Sequence, residues 1–327
     1  MTSKRSLGGS GFDVAPIGYG CMGISHAHGY AMEFDDGVRT VREAVEAGYT
    51  YFDTATTYTG ITRSGKSSIN EEVVGTALAP YREQVVAATK FGVTINADHS
   101  LTLDSSAAAI RATVEKSLRQ LGFDHLDLVY QARIDPNTEP EAVAQTMAEL
   151  MAEGKVLNWG ISETGEEYLR RAHAVTPVVA IQNVINMSRR EHEAMIPVTQ
   201  ELGIAFTVFT PLMKGFLSAR TDPNRLFREG DDYRRMMTQF SAKGVAQAAP
   251  LYALLDEYAN AHDATWAQIC LAWLLAKGPN LIPVAGTTNP DRMRENLAAA
   301  DIVLTAAELA DIDRRLAEIK PENFGKE

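Results

Sequence analysis

From about residue 16 the chain alternates short β-rich runs with amphipathic helical segments, eight times over, and no long linker interrupts the series. The strand candidates read "PIGYG", "YTYFD", "QVVAATK", "LDLVYQ", "VLNWGIS", "VVAIQN", "IAFTVFT" and "LIPVAG". Between them lie helices such as 104–121, where Ile110, Val114, Leu118 and Leu121 recur at helical spacing. Strands this apolar are covered on both faces, which implies a parallel sheet, either a closed barrel or an open doubly wound sheet. The count of eight favours the α/β class in its closed form: one (β/α)8 TIM barrel spanning residues 1–327, with further helices after the last strand. "SLGGSGFDV" reads as a small hairpin with a Gly-rich turn, placed as a lid under the N-terminal end of the barrel. Capping boxes are expected at Ser68 to Glu71, Thr138 to Glu141, Thr265 to Gln268 and Thr305 to Glu308.

Composition narrows the partners. The 31 basic and 42 acidic residues leave a net charge of −11, with no long Lys/Arg cluster, which argues against nucleic acid. Two isolated cysteines, Cys21 and Cys270, suit neither a disulfide framework nor a zinc quartet, so no metal is expected and a reducing compartment is. The N-terminus has no apolar stretch of the secretory kind, and "WAQICLAWLLA" is about half of the ~20 residues that span a bilayer. The expectation is a cytoplasmic protein without a membrane partner; oligomeric state is not legible.

In such a barrel the chemistry sits at the C-terminal ends of the strands. Read in order, these ends give Asp53, Lys90, Gln131, Ser162, Gln182, Phe209–Thr210 and Gly286–Thr287. A lone Asp or Lys at a strand end is more often a loop salt bridge than a catalyst. Here a carboxylate and an ammonium from different strands can meet, and Tyr58 follows Asp53 on one loop. Carbonyl reduction needs such a set. A hydride arriving at carbon leaves an alkoxide that must be protonated, and an ammonium beside a phenol shifts its pKa downward. Tyr58 is then the general acid, Lys90 its tuner and Asp53 the anchor of Lys90. A weaker alternative makes Lys90 a Schiff-base nucleophile, which needs a depressed pKa.

At these residues the sequence resembles the aldo-keto reductase family, through "FDTATTY", "ATKFG", "YQARIDP", "GISE", "IQN", "TPLMKGFLS" and "IPVAGTTNPDRMRENL", in the family's order over nearly the whole chain. The resemblance implies a (β/α)8 barrel, a small-molecule carbonyl substrate, and NADP(H) as cofactor in preference to NAD(H). It makes Ser162 and Gln182 hydrogen-bond partners of the carboxamide and Phe209 the aromatic that stacks on the nicotinamide. Leu212, Lys214 and Gly215 line the pyrophosphate. Gly286, Thr287, Arg292, Glu295 and Asn296 hold the adenosine end, where Asn289 and Pro290 open a helix whose terminal amides favour phosphate. Arg292 is assigned to the 2′-phosphate, and Thr288 stands where the family often carries Lys or Arg.

One position departs from the family. Ala132 in the substrate pocket stands where a histidine commonly follows Gln131, which lowers the expected turnover. A second reading therefore stays open: a nicotinamide-nucleotide-binding regulatory or partner-binding module with vestigial redox activity. His26 and His28, in the loop after the first strand, offer replacement imidazoles but read as solvated bystanders. Two motifs are set aside. "GITRSGKS" has the spacing of a phosphate-cradling loop, but no strand ends at Gly60, so it reads as a flexible loop at the pocket rim before a helix from Ser68. "GYGCMG" has dinucleotide-fingerprint spacing, but the chain after it reads as loop until about Asp36.

Overall fold

The computed structural model describes residues 4–96, 98, 100–222 and 227–319; the two ends of the expected single domain lie outside these. Eight parallel strands close into a barrel: β1 Gly18–Gly20, β2 Tyr51–Asp53, β3 Val86–Phe91, β4 Leu128–Gln131, β5 Trp159–Ser162, β6 Ala180–Val184, β7 Ala205–Phe209 and β8 Leu281–Ala285. They follow one another in sequence order and β8 pairs back onto β1, through Val284 opposite Gly18. The barrel class and the eight strand positions are as the sequence implied.

The two-residue period of a strand sorts each strand's side chains between two cores. Tyr51, Val86, Ala88, Leu128, Tyr130, Ala180, Ala205, Ile282 and Val284 share one buried cluster inside the barrel. Their neighbours Phe52, Ala87, Phe91, Val129, Ile161, Ile181 and Phe206 join the outer cluster, against helix residues such as Val41, Val74, Ile110 and Met147. Two tyrosines fill the interior, and two glycines make room for them. A Cβ at Gly18 would lie 2.5 Å from the Tyr51 ring, and one at Gly160 2.5 Å from the Tyr130 ring. The phenols satisfy each other in the dry interior: Tyr51 and Tyr130 hydroxyls are 3.1 Å apart, and Tyr130 reaches the Thr207 hydroxyl at 3.1 Å.

The N-terminal hairpin pairs Arg5–Ser6 with Asp13–Val14 and closes the bottom of the barrel, with Leu7 and Val14 buried in the inner cluster. Arg5 fixes it there, donating from Nη1 to the carbonyls of Gly278 and Leu281, both at 2.6 Å, and from Nη2 to that of Leu275 at 2.8 Å. The Leu275 carbonyl is in the last turn of helix Trp266–Ala276, where a cation is favoured. After β8 come helices Pro290–Ala298 and Ala306–Glu318. Among the described residues no helix is long and apolar enough to cross a membrane.

Local differences from the sequence reading have identifiable causes. The capping boxes at Thr265/Gln268 and Thr305/Glu308 form as read. The other two do not. Ser68 lies in a hairpin strand, the helix begins at Asn70, and Glu71 turns inward to accept the Thr89 hydroxyl at 2.6 Å. Thr138 donates instead to Asp135, at 2.9 Å, and the helix starts at Pro140, which has no N–H to cap. The helix expected from 104 begins at Ala107, capped by Ser106. After β1, one helical turn spans Met22–Ser25 and the next helix starts at Phe34. Residues 59–68 are no flexible loop: Thr59–Ile61 and Ser67–Ile69 pair as an antiparallel hairpin, and Val93–Ile95 with Leu101–Leu103 form another.

Candidate functional site

β2 and β3 are neighbours, so Asp53 and Lys90 emerge side by side at the C-terminal end of the barrel. Lys90 Nζ donates to Asp53 Oδ1 at 2.7 Å and to the Thr54 carbonyl at 2.8 Å. Asp53 Oδ2 accepts from Gln182 Nε2 at 2.9 Å, so both carboxylate oxygens are engaged. Burial alone would lower the lysine pKa, but the Asp53 charge and the Tyr58 oxygen outweigh it and hold Lys90 above its ordinary value. An amine held as ammonium is a poor Schiff-base nucleophile, which argues against the aldolase alternative.

Tyr58 reaches the same point from the loop after β2. Its amide donates to the Ala55 carbonyl at 3.1 Å, while its own carbonyl accepts from the Asn70 amide and the Ser25 hydroxyl, both at 3.0 Å. Asn70, fully buried, ties these loops together: its Nδ2 donates to the Cys21 carbonyl at 3.0 Å and to Ser25 Oγ at 2.7 Å, and its Oδ1 accepts from Thr54 at 2.6 Å. Lys90 Nζ stands 5.2 Å from the Tyr58 ring centroid. The expected downward shift of the phenol is corrected here. Burial raises the Tyr58 pKa, the nearby Lys90 ammonium opposes it, and the net direction is up.

A cavity of about 450 Å³ opens above this floor, within the range of small-molecule sites. Asp53, Tyr58, Phe209, Leu212, Lys214, Gly215, Gly286, Thr287, Arg292, Glu295 and Asn296 all line it, as do Thr288 and Asn289. The wall after β7 is built from unusual backbone, with Thr210, Met213, Lys214 and Gly215 at φ of 54°, 50°, 58° and 92°. Non-glycine residues held left-handed cost energy and concentrate at functional sites. Lys214 Nζ lies 4.2 Å from the Tyr233 ring centroid, and burial, with Arg189 and Arg133 nearby, pulls its pKa down to about 7. At the opposite end Arg292 is exposed on helix Pro290–Ala298. That helix's first free amides, Asp291 and Arg292, donate to Asn289 Oδ1 at 2.8 and 3.2 Å, so they are capped from within the chain rather than open to a phosphate.

Four of the expected site residues stand behind the cavity wall. Lys90 lies behind Tyr58 and Asp53, which do line it. Ser162 donates to the Gln182 carbonyl at 2.7 Å, and Gln182 commits its Nε2 to Asp53. Ala132 follows β4, its amide donating to the Phe91 carbonyl at 2.9 Å. The histidines are not solvated bystanders: His26 stacks on Tyr58 with ring centroids 5.9 Å apart, and His28 lines the cavity. Arg228 and Arg234 also line it and were not singled out from the sequence. The basic run in "REGDDYRRMM" was the available signal, but only the folded loop brings it to the site.

Neither set-aside motif has the strand–loop–helix form that its spacing would require, although Gly20, Met22 and Gly23 of the second line the cavity. Gly60 pairs with Ser68 in the hairpin, and a Cβ there would lie 2.0 Å from the Ser25 carbonyl oxygen, so this glycine serves packing; Lys66 is exposed. Gly18–Gly20 is barrel strand, and only one helical turn follows it.

Residues 16–317 match the aldo/keto reductase family. "Probable aldo-keto reductase 1" of Glycine max is 31% identical over 308 residues, which cover 94% of this chain and 86% of that protein. Among solved structures, an aldo/keto reductase from Klebsiella pneumoniae in complex with NADP and acetate is 25% identical with a TM-score of 0.72, over 99% of this chain and 98% of that one. A glycerol dehydrogenase from Gluconobacter oxydans is similar in fold, with a TM-score of 0.85 at 24% identity over 100% of this chain and 98% of that one.

Proposed function

The chain belongs to the aldo/keto reductase family of oxidoreductases, and from that premise we propose that it reduces small aldehydes or ketones to alcohols with NADP(H), using Tyr58 as general acid. The observation that carries this reading is the buried Asp53–Lys90 pair at 2.7 Å with the Tyr58 ring beside its ammonium, on the floor of a ligand-sized cavity.

Bound in the cavity, the nicotinamide supplies a hydride to the carbonyl carbon. The residues that line the cavity fit the cofactor: Phe209 would offer an aromatic face to the nicotinamide, Lys214 and Gly215 would hold the pyrophosphate, and Gly286, Thr287, Glu295 and Asn296 would hold the adenosine end. Arg292 lines that end without an ion pair or side-chain hydrogen bond among the described residues, which supports a 2′-phosphate contact and so NADP(H) over NAD(H). Gln182, its Nε2 spent on Asp53, offers the carboxamide only its Oε1 as acceptor, and Ser162 a hydroxyl oxygen whose proton is already donated.

Tyr58 does the acid's work. Its raised pKa keeps the phenol protonated through neutral pH, so the proton is in place when charge develops on the substrate oxygen. As that proton leaves, the Lys90 ammonium faces the forming phenolate, and Asp53 keeps Lys90 charged and positioned. Ala132 contributes no donor, so protonation and polarisation both fall to Tyr58 and turnover is slow. The test is loss of NADPH absorbance at high protein concentration with a panel of aldehydes and ketones. Carbonyl-dependent oxidation is the expected result; NADPH binding without turnover of any carbonyl would favour the binding-module reading.

A further inference from the structure

One wall of the cavity carries groups that neither the acid machinery nor the cofactor reading uses. The loop after β1 and the loop at residues 227–234 are clasped together: Gly29 donates to the Asp231 carbonyl at 3.1 Å, Tyr30 to that of Glu229 at 3.0 Å, and Tyr233 back to that of Ala27 at 3.3 Å. Asp232, buried, takes up one of the two arginines there, accepting from Arg234 Nε at 2.8 Å and Nη2 at 2.6 Å. Arg228 is different. Asp232 takes only its backbone amide, at 3.1 Å, and its guanidinium has no hydrogen bond or ion pair among the described residues. Its stem is pinned against Gly29, where an added Cβ would come within 2.7 Å of the Arg228 Cβ. Beside it His28 stacks on Tyr233, ring centroids 6.4 Å apart, and its Nε2 is buried without a partner. Burial, and next the like charge of Arg234, pull the His28 pKa down to about 4, so this nitrogen belongs to a neutral ring at pH 7.

An unpaired guanidinium and an unsatisfied imidazole nitrogen therefore line the same cavity as Tyr58 and Asp53. A buried polar atom left unmatched costs free energy, and a guanidinium fits a carboxylate in two parallel hydrogen bonds. We propose that this wall receives the carboxylate of the substrate, so that the compounds reduced are aldehydes or ketones bearing a carboxylate, with Arg228 as its principal partner. This rests on the carbonyl-reduction reading above. Arg228 is exposed, so only the buried His28 Nε2 carries that cost, and it meets a carboxylate when the ring holds its proton there; a neutral carbonyl compound would offer the guanidinium no charged partner.

The test compares 4-carboxybenzaldehyde with 4-methylbenzaldehyde by kcat/KM, in the parent, in Arg228→Gln and in Arg228→Lys. The carboxylated aldehyde is expected to be preferred by the parent. That preference should fall about 10- to 100-fold in Arg228→Gln, the worth of a charged hydrogen bond, and recover in part in Arg228→Lys. No preference in the parent, or weaker NADPH binding in Arg228→Gln with the preference unchanged, would overturn the proposal and give Arg228 to the cofactor. Calorimetry of benzoate binding to the NADP-saturated protein separates the two readings. Benzoate binding lost in Arg228→Gln, with neither aldehyde turned over, would support the carboxylate wall and sink the reductase reading; turnover of both aldehydes without benzoate binding would sink the wall alone.

Discussion

The two ends of the barrel are made by the same eight strands and hold opposite contents. At the N-terminal end a hairpin inserts Leu7 and Val14 among aliphatic and aromatic side chains, and the buried hydroxyls of Tyr51, Tyr130 and Thr207 satisfy one another. At the C-terminal end the strands deliver an ammonium and a carboxylate, and the next loop a phenol, into a cavity ringed by further cations. Burying two charges costs several kcal/mol per ion, offset only by good geometry and by hydrogen bonds to the remaining lone pairs. The Asp53 carboxylate has both, one oxygen on Lys90 and the other on Gln182. The difference teaches where each kind of free energy lies: the closed end contributes stability, and the open end holds buried charged groups that cost stability and to which the proposed chemistry is assigned.

The comparison can be sharpened by adding to the open end. Ala132→His should place a donor near the developing alkoxide, raising kcat for a small aldehyde by roughly 10²–10³, or about 3–4 kcal/mol, with the thermal midpoint little changed. Bulky ketones should gain less or lose, because the imidazole would extend from behind the cavity wall into space that they need. Steady-state kinetics with one substrate of each kind decide it; an unchanged kcat for the aldehyde would mean that the pocket polarises its substrate through another group.

The closed end should answer in the other currency. Leu7→Ala removes a fully buried side chain from the inner cluster and should cost about 2–5 kcal/mol in urea unfolding, with kcat/KM for the folded protein unchanged. A catalytic loss without a stability loss would break the division between the ends. A smaller effect lies at the cavity's far rim. Arg292→Ala should weaken NADPH about 10- to 100-fold more than NADH in direct titrations, and equal weakening of both would remove Arg292 from the 2′-phosphate.

Much of this was legible in the sequence, because buried parallel strands read as continuous apolar runs and the first polar residue at each run's end marks the open end of the barrel. That is why Asp53, Lys90, Ser162 and Gln182 stand out in the sequence. The rest depends on contacts distant in sequence. The 59–69 hairpin was missed because "TGITRSGKSSI" lacks an alternating apolar pattern, and it is held instead by Gly60 against Ser25. The direction of the Tyr58 shift is not legible in the sequence, because the burial that raises it comes from the fold, whereas the sequence shows only the lysine that opposes it. Arg228 and His28 meet across about 200 residues of chain, and no local spacing announces that.

The most direct test of the central claim, that Tyr58 is the acid, is the rate of carbonyl reduction across pH in the parent and in Tyr58→Phe. The protonated phenol is the working form, and burial raises its pKa above the ordinary 10.0, so the parent rate should stay level through neutral pH and fall only above that value. Tyr58→Phe should lose about 10²–10⁴ in kcat at every pH while binding NADPH as tightly as the parent. A Tyr58→Phe variant that kept the parent rate, or a parent rate that fell as pH rose through 7, would contradict the assignment.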